Sequence, residues 1–559
     1  MDRERPPQER EGIFSPLRFD VFRNMWVASL FSNFGLFVLG VGAAWDMTQM
    51  SGSPSLVALV QSAMMLPMAL FSLAAGAIAD MFDRRKVTMA ALGISIVGAT
   101  GLTVLAWSGH LSPATILVFC FIVGSGTALL SPSWGASVNE QVPTHVLPQA
   151  IALNGVSWNV ARSTGPAIGG VIVAAAGGLA AFATSAIFYI PLLLALYMWK
   201  RNNEPSRLPP ESLGRAMISG ARYVANSPAI RIATARTLVA ATAGAGIVSL
   251  LPLVSRDVLG GTAQLFGLLL ASFGLGSVIG ALNIGHLRAR MSVEQAVSTC
   301  SAGMALAVVI VALSPWWVLS ALALVLFGSS WTGCFMILNV TVQMASPRWV
   351  SARALATYQT AVGVGMAGGG WGWGVLATRV GVEKALLASA AALVLSLLLS
   401  RWMRLSTSGS LRPSDSDLLS EPNVKIPLIA RSGPIVVELE YRVEERRARL
   451  FYAVMQKVRL SRMRNGAYGW SIARDIEDPQ VWIERYHCPT WHDYLRQRNR
   501  PTQSERDLHQ RAMKFHIGPE PVRIHRMLER PGGSMPWKDG KQATARDSGD
   551  DIPTAINGP

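Results

Sequence analysis

Gly76-Ala77-Ile78-Ala79-Asp80-Met81-Phe82-Asp83-Arg84-Arg85-Lys86-Val87 joins two apolar runs, 56–78 and 87–107. At about 1.5 Å per residue, each run is long enough to cross a bilayer. The chain therefore leaves and re-enters a membrane around one tight, charged turn. Gly76 is expected to let the helix end pack closely. Asp80 is expected to accept hydrogen bonds from a nearby helix N-terminus. Asp83, Arg84, Arg85 and Lys86 hold the turn on the cytoplasmic side, because short loops rich in Lys and Arg stay inside.

Further apolar runs recur on both sides of this turn. They lie near 24–45, 114–138, 150–176, 179–199, 232–254, 264–284, 295–313, 316–342, 354–377 and 383–403. With the first two, they predict an all-α membrane unit of twelve spanning helices. Half of the 559 residues are hydrophobic, too many for one soluble core of this length. Residues 20–404 carry 21 Lys/Arg and 10 Asp/Glu, whereas 405–559 carry 25 and 20. A soluble unit therefore begins near 405.

The net charge of +16 raises nucleic acid as a partner. Most basic residues of the membrane unit, however, sit in loops beside apolar spans, so the charge reads as topology, with membrane lipid as the partner. Loops expected inside carry Arg84, Arg85, Lys86, Lys200, Arg201, Arg288, Arg290, Arg348 and Arg353; those expected outside carry Arg256, Arg379 and Lys384. Both termini are thus expected in the cytoplasm of a multi-pass inner-membrane protein. The start, 1–20, has no signal-peptide core. Cys120, Cys300, Cys334 and Cys488 form no pairable or CxxC pattern, which argues against a disulfide scaffold or a zinc site.

Pairs of residues repeat at one offset of 204: Gly76-Ala77 with Gly280-Ala281, Gly124-Ser125 with Gly328-Ser329, Pro143 with Pro347, Gly165 with Gly369 and Gly170 with Gly374. This predicts two six-helix repeats, 21–199 and 229–404, joined by a cytoplasmic linker, 200–228. A Ser/Pro/Asp-rich linker, 405–433, follows. Strands at 435–443, 467–474, 481–488 and 522–528 alternate with helical stretches at 444–464, 491–498 and 504–516. The order βαββαβ suggests an α+β, ferredoxin-like domain over 434–530, with a polar, disordered tail over 531–559. In 444–464, Leu450, Val454 and Val458 are expected on the buried face.

Polar residues inside spans are the candidates for function. Arg162 falls near mid-membrane, where a basic side chain costs about 2.5–3.5 kcal/mol and requires a partner. Asp46, Glu140 and backbone carbonyls are the candidates, and two readings stay open: a coupling site for anion or proton, or a structural ion pair. Asp46 is a candidate proton carboxylate or a mouth residue, and Glu140 a loop anchor. Gly165, Pro166, Gly169 and Gly170 bend their span and admit another backbone. Asn33, Gln61, Trp134, Asn159, Asn339, Gln343 and Gln359 are candidates for a substrate path, against the commoner use as helix–helix hydrogen bonds. Arg446, Arg447, Arg449, Arg459, Arg462 and Arg464 offer a basic face to anionic headgroups or to solvent. His487, His492, His509, His516 and His525 lack metal-chelating spacing. The chain has no Gly-x-x-x-x-Gly-Lys-Ser/Thr loop, so ATP-driven transport lacks its phosphate cradle, and no cofactor is expected.

These motifs resemble a known family. Gly76 to Lys86 resembles the helix 2–3 loop of the major facilitator superfamily, Gly-x-x-x-Asp followed by Arg and Arg/Lys; Met81 and Asp83 stand where Arg and Gly are usual. Gly165-Pro166-x-x-Gly169-Gly170 resembles the end of the antiporter motif of drug exporters, with Ala161 where a glycine is expected. The runs from Ser131 to Pro143, Ala150 to Asn154, Asn159 to Pro166 and Arg353 to Gln359 resemble the transmembrane secretion effector branch, which includes the enterobactin exporter. This resemblance covers about 15–404, and 434–530 is similar to antibiotic-biosynthesis-monooxygenase-type domains. It implies a secondary transporter, not an enzyme, exporting a small organic molecule such as a siderophore or drug in exchange for protons. Asp80 would latch the two halves, and the C-terminal domain would self-associate. An importer of the same fold, or a membrane-tethered enzyme or sensor acting through 434–530, are the alternatives.

Overall fold

The computed structural model describes residues 14–51, 53–143, 145–199, 222–346, 350–405, 424–426, 428–429, 431–499 and 503–529. The linker expected at 200–228 is described only from 222, the one at 405–433 only in part, and the tail not at all. The chain divides into two compact units: Met1–Val224 with Pro228–Ser408, and Gly409–Pro559 with Ala225–Ser227.

The first unit is helical. Its helices are α1 Asp20–Met50, α2 Pro54–Met81, α3 Arg84–Trp107, α4 Pro113–Ser137, α5 Leu147–Met198, α6 Pro228–Leu253, α7 Ala263–Arg290, α8 Val293–Leu313, α9 Trp317–Met344, α10 Ser351–Val380 and α11 Val382–Trp402. Their starts obey local rules. Pro54 and Pro113 occupy the first turns of α2 and α4, where a missing N–H costs nothing. Ser112 with Thr115 and Ser292 with Gln295 form reciprocal capping boxes. Asp83 begins α3 by accepting from Arg85 N at 2.9 Å and Lys86 N at 3.4 Å. The capping carboxylate of the opening motif is thus Asp83. Asp80 lies in the last turn of α2, and its side chain is outside the described set.

Ten helices among the described residues are long and apolar enough to cross a membrane, against twelve expected. Two differences explain the count. The runs expected at 150–176 and 179–199 are two helical stretches that meet end to end at Gly177, whose φ of 75° and ψ of 179° interrupt the helix; together they are labelled α5. Both stretches pack against the same part of α1: Gly169 faces Val38, and Gly42 faces Ala181. α10 is absent from the ten; Arg353, Gln359, Arg379 and its glycines make it less apolar.

Packing in this unit follows two patterns. α1 lies along α5, α2 along α4, and α3 along α4 and α5; likewise α6 lies along α10, α7 along α9, and α8 along α9 and α11. The sets are joined chiefly by α2 with α10 and α5 with α7. Both seams rest on small residues. A Cβ on Gly170 of α5 would fall 2.9 Å from Gly267 Cα of α7, and one on Gly274 of α7 would collide with Ser163 Cα. In the other seam Ser62 Oγ donates to Ala367 O at 2.7 Å, and Ser72 and Thr360 hydroxyls meet at 2.7 Å.

The second unit has a four-stranded antiparallel sheet in the order β2-β3-β1-β4. Its elements are β1 Ile435–Arg442, α12 Ala448–Arg464, β2 Tyr468–Arg474, β3 Val481–Cys488, α13 Trp491–Asn499, α14 Gln503–Met513 and β4 Arg523–Leu528. Ile435, Val437, Leu439 and Tyr441 alternate along β1 into one core with Phe451, Met455 and Val458 of α12. The buried face of α12 is therefore rotated from the expected one, and Leu450 is exposed.

Candidate functional site

Arg162 is a charged side chain inside the apolar stretch of α5. It lies fifteen residues into α5, about 22 Å from the helix start. Its guanidinium crosses the α5–α7 seam. One terminal nitrogen donates to Thr332 Oγ1 of α9 at 2.8 Å, and the planar head sits 5.6 Å from the Phe273 ring centroid of α7. Its Nε is buried without a hydrogen-bond partner among the described residues. From Phe273 an aromatic row continues along α9: Phe327 at 5.8 Å, Trp331 at a further 5.6 Å and Phe335 at a further 4.3 Å.

None of the partners expected for Arg162 holds it. Glu140 pairs with Arg84 at 3.3 Å, which fits its reading as a loop anchor. Asp46, near the end of α1, lies against Gly178, where an added Cβ would collide with its Oδ2. Gly178 is sixteen residues beyond Arg162, about 24 Å along α5. A direct Asp46–Arg162 pair is therefore absent.

The glycines of α5 divide between two neighbours. Gly165 faces Phe37, whose Cβ lies 3.0 Å from where a Gly165 Cβ would stand, and Gly169 faces Val38 of α1 at 3.1 Å. Gly170 faces α7, as does the Pro166 carbonyl, 2.7 Å from where a Gly267 Cβ would lie. Gly76 differs from expectation: a Cβ there would meet nothing within 4 Å, so it is not needed for close packing. In the same loop Arg85 donates to Tyr197 O at 2.6 Å.

The candidate path residues do not converge on one point. Asn33 donates to Ser157 Oγ at 3.2 Å, joining α1 to α5. Asn159 donates to Gly155 O of its own helix at 2.9 Å. Gln343 donates to Asn339 Oδ1 at 2.6 Å within α9. Gln61 and Trp134 are half-buried, and Gln359 is exposed.

A second buried arginine is not among the sequence candidates. Arg236 of α6, 5 % exposed, pairs with Glu294 at the start of α8. The other Glu294 oxygen accepts from Leu405 N at 3.0 Å, just after α11. A signal for it exists in the sequence: Arg236 is the one charge in the run 232–254, and a charge inside a span needs a partner. Arg256, in a π-helical turn after α6, clamps Asp257 and also donates to Thr48 O at the end of α1.

In the second unit Glu484 is fully buried and satisfied by Arg462 Nε at 3.1 Å, Trp470 Nε1 at 3.1 Å and Tyr441 OH at 3.2 Å. Burial, then the Glu484 charge, holds the Tyr441 hydroxyl well above its usual range, so it stays a donor. Arg464 pairs with Glu505 at 3.1 Å. Arg462 and Arg464 are thus internal, and the expected basic face shrinks to its other members.

The matched region extends across most of the chain: residues 11–532 match the family described as transmembrane secretion effector. The chain belongs to that family, within the major facilitator transporters. Transmembrane secretion effectors are transporters rather than enzymes, and this one is a multi-pass membrane protein. It is 28 % identical over 317 residues to the enterobactin exporter EntS of Salmonella typhi, covering 55 % of this chain and 73 % of that one. It is 27 % identical over 200 residues to the multidrug efflux pump Tap of Mycobacterium tuberculosis, covering 34 % of this chain and 48 % of Tap. The chain thus spans about half the length of the Tap proteins that it matches. Its fold is similar to the nucleoside transporter NupG (TM-score 0.57, 12 % identity, 69 % of this chain and 100 % of that one). It is also similar to a bacterial homolog of the human lysosomal transporter Spinster (TM-score 0.54, 15 % identity, 70 % and 100 %).

Proposed function

We propose that this transmembrane secretion effector is a proton-coupled exporter of a small organic molecule. The observation that carries the reading is Arg162, a basic side chain at mid-depth that bridges the α5–α7 seam. A polar group buried between two helix sets is expected where a substrate or coupling ion is handled, because its burial in a membrane is costly. Relatives named as an enterobactin exporter and a multidrug efflux pump support the outward direction.

The finer architecture belongs to the same proposal. α5, divided at Gly177, supplies two crossings, and α10 supplies one more, which gives twelve. The parallel packing patterns of α1–α5 and α6–α11 support two six-helix repeats. Loop charge supports cytoplasmic termini. The strand order β2-β3-β1-β4 with antiparallel neighbours supports a ferredoxin-like domain, which we read as a cytosolic self-associating or regulatory module. Trp470 and Asn465 favour that over oxygenase chemistry, since Trp470 holds Glu484 and Asn465 donates to Glu505 at 3.3 Å.

A deletion strain screened for lost secretion or tolerance across siderophores and drug-like compounds identifies the cargo. Everted vesicles energised by a proton gradient then test direction: uptake that collapses with an uncoupler is expected. Gradient-driven loss from the vesicles would favour the importer instead. Asp80 is proposed as the inner latch between the halves. Asp80→Ala should lower transport with insertion intact, since a latch biases two conformers rather than holding the fold; normal transport by a well-expressed variant would remove that role.

A further inference from the structure

The geometry points to an aromatic organic anion as the cargo class, its negative group taken by Arg162 and its ring laid against Phe273, where the aromatic row begins. This inference rests on the transport reading above and adds a substrate class to it.

Among the described residues, Arg162 has no anionic partner. Its side chain donates to a neutral hydroxyl, Thr332 Oγ1, and its Nε is buried and unpartnered within the same set. The described carboxylates of the membrane unit are engaged or placed elsewhere. Asp20 pairs with Arg23, Glu140 with Arg84, Asp257 with Arg256 and Glu294 with Arg236. Asp83 caps α3, Asp46 lies against Gly178, and Glu383 sits in the first turn of α11. A guanidinium keeps its charge and offers a planar fork that suits carboxylates and phenolates. No carboxylate among the described residues balances Arg162, which leaves its charge open to a bound anion.

The surroundings say what the anion is attached to. Arg162 stands over one end of an aromatic row whose neighbouring centroids lie 4.3–5.8 Å apart. Phe327 and Trp331 are buried in the core, whereas Phe273, under the guanidinium, is half-buried and keeps accessible ring surface. Thr332 projects from the same helix as the row and fixes the guanidinium against it. A compact inorganic anion would use the cation and ignore the rings. A neutral hydrophobe would use the rings and leave Nε buried without a partner, which a polar group disfavours.

The test uses the purified full chain in nanodiscs and three probes of one shape: 1-naphthoate, 1-naphthamide and 1-naphthylmethylammonium. Calorimetric titration without any gradient should give naphthoate binding about tenfold tighter than the amide, with the ammonium weakest. Arg162→Gln should erase the preference, Arg162→Lys should keep part of it, and Phe273→Leu should weaken naphthoate and amide alike. An unchanged preference in Arg162→Gln, or a preference for the ammonium, overturns the inference. If Arg162→Gln fails to elute as a single species, the unmodified chain and Thr332→Val decide. Both retain the cation, so a missing anion preference in them is equally fatal. Export is measured separately. Gradient-driven efflux of cations alone sinks this inference and leaves the exporter reading intact; anion preference without efflux does the reverse.

Discussion

Arg162 and Arg236 are both arginines inside apolar spans, yet their surroundings differ. Arg236 has a carboxylate partner, and Arg162 has a hydroxyl and a ring. Removing the Arg236 partner should therefore be severe. Glu294→Gln leaves a charge buried and uncompensated, at a cost of about 3–5 kcal/mol, and should lower the thermal midpoint of the detergent-solubilised chain. The double change Arg236→Met with Glu294→Met should recover most of that loss; a double variant no more stable than the single would refute the pair's structural role. The glycines sort just as sharply. Gly76→Ala meets open space and should be silent, whereas Gly274→Ala drives a methyl group into the α5 backbone. Overpacking of this kind costs about 1–3 kcal/mol, and Gly274→Ala should reduce transport well before it reduces expression. Equal behaviour of the two variants in a transport assay would contradict the seam.

At the scale of elements, spans were legible because length and apolarity alone determine them, and the strands and helices of 435–528 followed from alternation and turn residues. Helix rotation was not legible. In α12 the apolar and basic residues are interleaved, so Leu450 and Phe451 compete for the same face, and only the sheet beneath it decides for Phe451. The Arg162 partner was hidden for a related reason: Thr332 is 170 residues away in sequence, and nothing local marks it. The break inside α5 was legible because the glycine pair 177–178 separates two apolar runs, and Gly177 takes a positive φ that favours glycine. In the second unit, His509 of α14 has a buried Nε2. Burial first, then the charges of Arg462 and Arg464, push its imidazole well below the usual histidine range. The unfolded chain binds that proton near about pH 6.5, so the neutral folded form contributes stability above that pH and loses it as pH falls below. Unfolding of this unit in the full chain should become easier between pH 7 and 5, and His509→Gln should flatten the trend. An unchanged pH profile in that variant would show that His509 is not the titrating group.

For the whole molecule, the charge pattern and the described helix ends make one topology testable. Gly109, between α3 and α4, and Met291, between α7 and α8, should face opposite sides. Gly109→Cys should react with an impermeant maleimide added to intact cells, and Met291→Cys only after lysis; the reverse result would invert the protein. The native background is quiet, since Cys120, Cys300, Cys334 and Cys488 are all buried. The seam between α5 and α7 has one more consequence. Where Gly170 meets Gly267 and Gly274 meets Ser163, backbone lies directly against backbone. Helices that interlock by ridges must change rotamers to move past one another; a smooth bearing need not. Rocking about this line should therefore carry a low activation enthalpy. Its speed would follow the viscosity of the surrounding lipid more than the stiffness of the protein, so membrane composition itself becomes a throttle on turnover.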